Sequence, residues 1–300
     1  FYQYISRFHW GAAFLMQLQQ HGYLCLMKQQ PIGVFDSGYG GLTILKEFIH
    51  TLPQYDYLYL GDNARTPYGP RSFETVYRYS LQCVKWLFAQ GCPLVILACN
   101  TASAKALRTI QQNDLPIINS ENRVLGVIRP TTEKIGALTS TKEVGILATA
   151  GTVLSGSYLI ETEKFYPDVK VYQEACPMWV PLVENNEYES SGADYFVEKH
   201  VRNLLDKGKQ IDTVLLACTH YPLLKNKIKK YLPYGIHLLS QGEIVANSLV
   251  DYLKRHPEIE NRCSKEGVVQ FYTTDSTEDF DAHAATFFGK PIQSEHVSVE

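Results

Sequence analysis

Two cysteines stand in matching settings. Val95-Ile96-Leu97-Ala98-Cys99-Asn100-Thr101 and Val214-Leu215-Leu216-Ala217-Cys218-Thr219-His220 are each an apolar run that ends in Ala-Cys and then turns polar. An ionised thiol is a nucleophile or a base. Two thiols on opposite sides of a substrate can take a proton from one face of a carbon and return one to the other face, which inverts a stereocentre. A cysteine hydrolase would instead combine one cysteine with a histidine and an oxyanion hole. His220 follows Cys218 by two residues, but Cys99 is followed by Asn100 and Thr101, which do not titrate near neutral pH. Asp36 is the candidate ionisable helper on that side, because its strand tip should neighbour that of Cys99. A lone cysteine at the end of a buried strand is ordinarily a small core residue, so the repeated context is what singles out this pair. Cys176, before Pro177, reads as structural and Cys83 as core, while Cys25, Cys92 and Cys263 have no supporting context.

The elements that must position the thiols follow from the same runs. An uninterrupted apolar run bounded by polar residues suits a strand buried on both faces of a parallel sheet. Helical patterns follow over 103–112 and 222–231. Each thiol should therefore sit at the C-terminal tip of a strand, before a helix N-terminus, on the edge where open α/β sheets bind ligands. The helix dipole there can lower a thiol pKa from its free value of about 8.5. Further strands are expected over 32–35, 57–60, 116–118, 144–148, 169–173, 236–239 and 268–273. Helices are expected over 42–50, from a Ser72 cap to Gln90, through Phe165 after Thr149-Ala150-Gly151-Thr152, and over 192–207, 243–255 and 278–288. The weakly patterned stretch 121–125 reads as a crossover, and 176–184 as a compact loop with a helical turn.

Alternating strands and helices call for mostly parallel sheets flanked by helices. The repeated strand, Ala-Cys, helix unit calls for two pseudo-symmetric α/β lobes facing each other. Residues 27–122 plus 239–300 would form the lobe that carries Cys99, and 123–238 the lobe that carries Cys218. Two loops stand out. Asp36-Ser37-Gly38-Tyr39-Gly40-Gly41 has glycines that let a backbone approach a ligand, before a helix N-terminus that favours an anion. It is neither a GxGxxG nor a P-loop. The stretch from Gly61 to Pro70 is rich in polar and turn residues, as functional loops are.

Composition sets limits. The chain has 300 residues, a formal charge of −3, 45% hydrophobic and 20% charged residues, ordinary values for a globular protein. That charge leaves no basic footprint for nucleic acid and no polybasic membrane surface. No apolar stretch approaches the roughly 20 residues that cross a bilayer. Seven irregularly spaced cysteines without CxxC or Cys/His metal spacing argue against a metal site and suit a reducing cytoplasm. No lysine sits at a strand tip in a phosphate-cradling loop, as pyridoxal phosphate would need. Residues 1–26 lack clean periodicity and read as an extension or a disordered segment, with an amphipathic helix as the alternative. Met27 lies directly before the first clear strand.

Five motifs, in order over residues 30–290, carry a resemblance. Pro31-Ile32-Gly33-Val34-Phe35-Asp36-Ser37-Gly38-Tyr39-Gly40-Gly41-Leu42, Gly61-Asp62, Pro67-Tyr68-Gly69, Ala98-Cys99-Asn100-Thr101-Ala102 and Ala217-Cys218-Thr219-His220-Tyr221-Pro222 together resemble the glutamate racemases of the aspartate/glutamate racemase superfamily. The resemblance implies a cofactor-independent racemase of L- and D-glutamate that supplies D-glutamate for peptidoglycan, with its site between two lobes. It implies that Cys99 and Cys218 are the catalytic thiols and that Asp36 and His220 tune or assist them. Glu184 becomes the acid of the Val-Pro-x-x-Glu segment; without the resemblance it reads equally as a solvated helix carboxylate. Asp36-Ser37, Tyr68-Gly69, Asn100-Thr101 and Thr219-His220 match the substrate-binding pairs, and Thr149 and Thr152 fall where the family has hydroxyls. The chain departs from the pattern at Thr131 and Ser240, away from these motifs. A racemase of aspartate or another small acid, and a non-catalytic amino-acid-binding or redox-sensing protein, are the rival readings. Oligomeric state is open, a homodimer included.

Overall fold

The buried apolar runs become the centres of two parallel sheets. The structure, a computed structural model, describes residues 30–299; the expected extension over 1–26, with Cys25, lies outside the described residues. In chain order the elements that matter are β1 (Ile32–Asp36), α1 (Leu42–Thr51), β2 (Tyr57–Gly61), α2 (Phe73–Ala89), β3 (Leu94–Leu97), α3 (Asn100–Lys105), β4 (Arg123–Gly126), α4 (Ile128–Ile135), β5 (Glu143–Ala148), α5 (Ala150–Ser155), α6 (Ser157–Phe165) and β6 (Lys170–Ala175). They continue with α7 (Trp179–Glu184), α8 (Ser191–Lys207), β7 (Thr213–Ala217), α9 (Lys225–Tyr231), β8 (His237–Ser240), α10 (Gly242–Arg255), β9 (Val269–Thr273), α11 (Thr277–Phe288) and β10 (Ser294–His296). One sheet has the order β10-β9-β2-β1-β3-β4 and the other β6-β5-β7-β8. Every recorded pairing is parallel.

Register places the chemistry. Phe35 pairs with Leu97, so the Asp36 and Cys99 tips share one edge. Ala148 pairs with both Ala175 and Ala217, which brings Thr149, Cys176 and Cys218 to one edge of the second sheet. The runs around both thiols are fully buried. Truncating one of their leucines to alanine would cost about 2–5 kcal/mol in such a core. Among the described residues no helix is long and apolar enough to cross a membrane.

Several expectations need correction. Residues 116–118 are not a strand: Leu115–Ile118 is a helical turn with Pro116 in its first positions, where the missing N–H costs nothing. Ile117 is 86% exposed, so this apolar run never enters a core. The stretch expected as a crossover, 121–125, contains β4, which pairs with β3. Its pattern is weak because only alternate residues, Val124 and Gly126, are buried. The chain thus leaves the first sheet after β4 and the second after β8. The helix expected over 103–112 begins at Asn100, is regular only to Lys105, and gives way to short irregular turns. The helix through Phe165 is broken at Gly156, which adopts φ +64° at little cost because it lacks Cβ. The segment after Cys218 opens as a 3-10 turn, Tyr221–Leu224, before α9. β10 is short and polar and has no signature in the pattern.

Candidate active site

A cavity of about 130 Å³ lies between the sheet edges, and both thiols line it. Ser37, Tyr68, Gly69, Asn100, Thr101 and Cys99 face it from the first lobe; Thr149, Cys218, Thr219 and His220 face it from the second. Asp36 and Glu184 do not line it and act from behind, and Thr152 reaches it only through Thr149. Sequence reasoning missed Thr66, Ala150, Pro177, Val180 and Pro181 as lining, because small and apolar wall residues carry no chemical signature. Cys176, taken as structural, is also part of this wall. A larger cavity, about 630 Å³, lies elsewhere, lined by residues such as Ser103, Arg108, Arg129 and Tyr252, and contains neither thiol. The smaller cavity is the one of these two that places two thiols on opposing walls.

Cys99 ends β3 and caps α3, its sulfur accepting from the Ala102 N–H at 3.5 Å. The Ser37 hydroxyl lies 3.4 Å from the same sulfur. Burial pushes this thiol up to about 12, and the buried Asp36 carboxyl pushes the same way, while Ser37 and Ala102 pull less strongly downward. The expected lowering by the helix N-terminus is therefore overturned at Cys99. α3 is one short helix of six residues, and desolvation of a charged sulfur outweighs its dipole. Burial thus favours the neutral thiol at Cys99.

Asp36 was expected beside Cys99, but its hydrogen bonds go elsewhere. It accepts from the Gly38 N–H at 3.0 Å and, across the cleft, from the Thr219 hydroxyl at 3.5 Å. Burial raises its pKa, opposed by the nearby His220 cation and by backbone N–H groups of Gly41 and Gly38. Its influence on Cys99 is through the field, and Ser37 makes the direct contact.

Cys218 ends β7 with its sulfur 3.9 Å from Nδ1 of His220. Glu184, at the end of α7, places Oε1 3.0 Å from Nε2 of that ring. Burial alone would lower the His220 pKa; the contacts with Cys218 and Glu184 outweigh it and take it to about 10. His220 is thus an imidazolium, a proton donor within reach of the second thiol. Glu184 resolves as its partner rather than as a solvated carboxylate.

The loops hold the two lobes in register. A Cβ on Gly40 would lie 2.2 Å from Thr219 Oγ1 and 2.5 Å from His220 Nδ1. That glycine admits the opposite lobe rather than a ligand's phosphate. Tyr68 donates a short hydrogen bond to the buried Asp62 carboxylate, which also accepts from Arg65 Nε at 2.8 Å. Arg65 in turn stacks over Tyr79 at 4.3 Å. Thr101 and Thr149 hydroxyls meet across the cleft at 2.9 Å, and Thr149 also meets Thr152 at 3.1 Å. Among the described residues no cluster of His, Cys, Asp or Glu could hold a metal ion.

Known proteins are similar to this chain in sequence and fold. The chain is 39% identical over 252 residues to a glutamate racemase of Sulfurihydrogenibium sp., covering 84% of this chain and 91% of that protein. It is 38% identical to a glutamate racemase of Levilactobacillus brevis, over 91% of this chain and 96% of the relative. Among solved structures, the glutamate racemase isoform RacE1 of Bacillus anthracis superposes with a TM-score of 0.81 at 33% identity, covering 90% of this chain and 98% of that one. The Francisella tularensis glutamate racemase, solved in complex with D-glutamate, superposes with a TM-score of 0.80 at 31% identity over 91% and 99% of the two chains. Residues 42–249 match the sequence signature of the Asp/Glu/Hydantoin racemases, and the chain belongs to that family.

Proposed function

We propose that the protein is a glutamate racemase that inverts Cα by proton transfer between two thiols, without a cofactor. The observation that carries this reading is the pair of thiols on one small cavity, each at an equivalent strand tip of an opposing lobe. The volume, about 130 Å³, is well below that of drug-sized pockets and suits a small amino acid. Inversion in this site needs one sulfur as thiolate. It takes the Cα proton, breaking C–H and forming S–H, and the opposing thiol gives its proton to the other face. Cys99, held neutral by burial, is poised to donate; an incoming substrate ammonium, by its positive charge, would favour the charged form when Cys99 must accept. Imidazolium His220 stands beside the other sulfur. The hydroxyls of Ser37, Thr101 and Thr149 can hold the substrate's carboxylates in a closed, dry site. The product, D-glutamate, would serve peptidoglycan synthesis.

Racemisation in heavy water tests this. L- and D-glutamate should each gain solvent deuterium at Cα in the inverted product, read by proton NMR. Cys99→Ser and Cys218→Ser should each lower inversion about 10²–10⁴-fold, the range of a lost acid–base group. Near-normal turnover in both would refute the two-thiol mechanism. A panel of L-amino acids with chiral detection separates glutamate from aspartate as the preferred substrate.

A further inference from the structure

Asn100 is the first residue of α3, directly after Cys99; it lines the cavity, and its side-chain amide also belongs to a buried ring. Tyr158 Oη donates to Asn100 Oδ1 at 2.7 Å. Asn100 Nδ2 donates to Gln241 Oε1 at 2.6 Å. Gln241 Nε2 donates back to Tyr158 Oη at 2.7 Å, which closes the ring. The remaining Gln241 hydrogen reaches Thr131 Oγ1 at 3.0 Å, and Thr131 donates to the Val127 carbonyl at 2.8 Å. Asn100, Thr131, Tyr158 and Gln241 are between 0 and 3% exposed. All donors point one way round the ring, so each bond polarises the next, and no member can turn without leaving a buried polar group unpaired.

The ring's members come from distinct parts of the fold. Asn100 belongs to the Cys99 lobe and Tyr158, on α6, to the Cys218 lobe. Val127 and Thr131 lie where the chain first crosses between the sheets, after β4, and Gln241 where it crosses back, after β8. The amide of Gln241 therefore ties both crossings to the helix N-terminus that carries Cys99. Resting on the racemase reading above, we propose that Gln241 is a positioning residue: through Asn100 it fixes the orientation of the Cys99 strand tip relative to the opposite lobe. Each end of the Asn100 amide makes one ring bond, so Gln241 and Tyr158 together fix how Asn100 lies in the cavity wall.

Gln241→Glu keeps the shape and exchanges the donor end of the amide for an acceptor; Tyr158→Phe removes the hydroxyl that closes the ring. Thermal unfolding and circular dichroism establish folding, and kcat and KM are then measured in both directions with L- and D-glutamate. The expected result is a kcat lower by about 10–100-fold with a smaller change in KM, the size of a misplaced reacting group. The isotope effect with Cα-deuterated glutamate should rise, because the chemical step becomes more limiting. The double variant should lose no more than the worse single variant, since both open one ring. Folded variants with kcat, KM and isotope effect like the wild type would overturn the proposal, as would a fall in melting temperature alone. If Gln241→Glu does not fold, Tyr158→Phe decides. A wild-type protein that fails to racemise glutamate sinks the functional reading, whereas an active wild type with unaffected variants sinks only this inference.

Discussion

Glu184 and Cys218 hold opposite ends of the His220 ring, Oε1 at 3.0 Å from Nε2 and Sγ at 3.9 Å from Nδ1. That bracket keeps a buried histidine charged against the cost of its burial, with a pKa near 10. Glu184→Gln removes one of the two groups that raise it, so the His220 pKa falls. Any step that needs the imidazolium then fails at lower pH: the high-pH limb of kcat should move down within the window from 6.5 to 10. A pH–rate profile of the variant against the wild type checks this, and superimposable limbs would refute the assigned role. The same shift bears on stability. The folded pKa lies above the unfolded value of 6.5, so this contribution is fully present below pH 6.5 and is lost as pH rises through about 10. The melting temperature of the wild type relative to His220→Gln should therefore fall across that window. Cys99 makes the opposite choice under the same pressure: with Asp36 rather than a cation beside it, burial wins and the thiol stays neutral. The two thiols occupy equivalent strand tips and have unequal surroundings.

At the scale of elements, the loop between β1 and α1 does more than connect them. Its Gly40 lies where any side chain would strike Thr219 and His220 of the opposite lobe. Gly40→Ala should push that loop and the β7 tip apart, at about 1–3 kcal/mol of stability as in other overpacked sites. Racemisation should fall more steeply than stability, because the displaced atoms include the His220 ring. Chemical denaturation and steady-state kinetics on the same sample would separate the two, and unchanged kcat with lowered stability would count against the loop's part in the site. β4 shows a different lesson at this scale. A half-buried edge strand of four residues has too short an alternation to announce itself, and its pairing with β3 supplies what its sequence lacks.

For the whole molecule, the cleft between lobes is the feature that binding must act on. Groups from both sides already meet across it, Thr101 with Thr149 at 2.9 Å and Thr219 with Asp36 at 3.5 Å. A substrate lodged there contacts both lobes and binds only the folded arrangement. L- or D-glutamate at 100 times its dissociation constant should therefore stabilise the protein by about 2.7 kcal/mol. For a chain of 300 residues that is a rise in melting temperature of roughly 4 °C, measurable by scanning fluorimetry. Gly40→Ala should show a smaller rise at the same concentration, and equal rises would mean that the ligand does not depend on lobe closure.

The thiol-bearing strands, the helices behind them and the α/β class were legible in the sequence because burial on both faces leaves long apolar runs that no other element needs. The five motifs placed Cys99, Cys218 and most of the cavity lining for a related reason: small polar residues at strand tips carry chemistry and stand out beside a core. What each carboxylate and amide does was decided by tertiary structure. Asp36 reaches Thr219, Ser37 rather than Asp36 touches the Cys99 sulfur, and Gln241 joins Asn100 across 141 positions of sequence. The Cys99 pKa rises although the helix rule pointed down. Desolvation and hydrogen bonding depend on neighbours brought together from distant parts of the chain, and no local pattern records which neighbours those are.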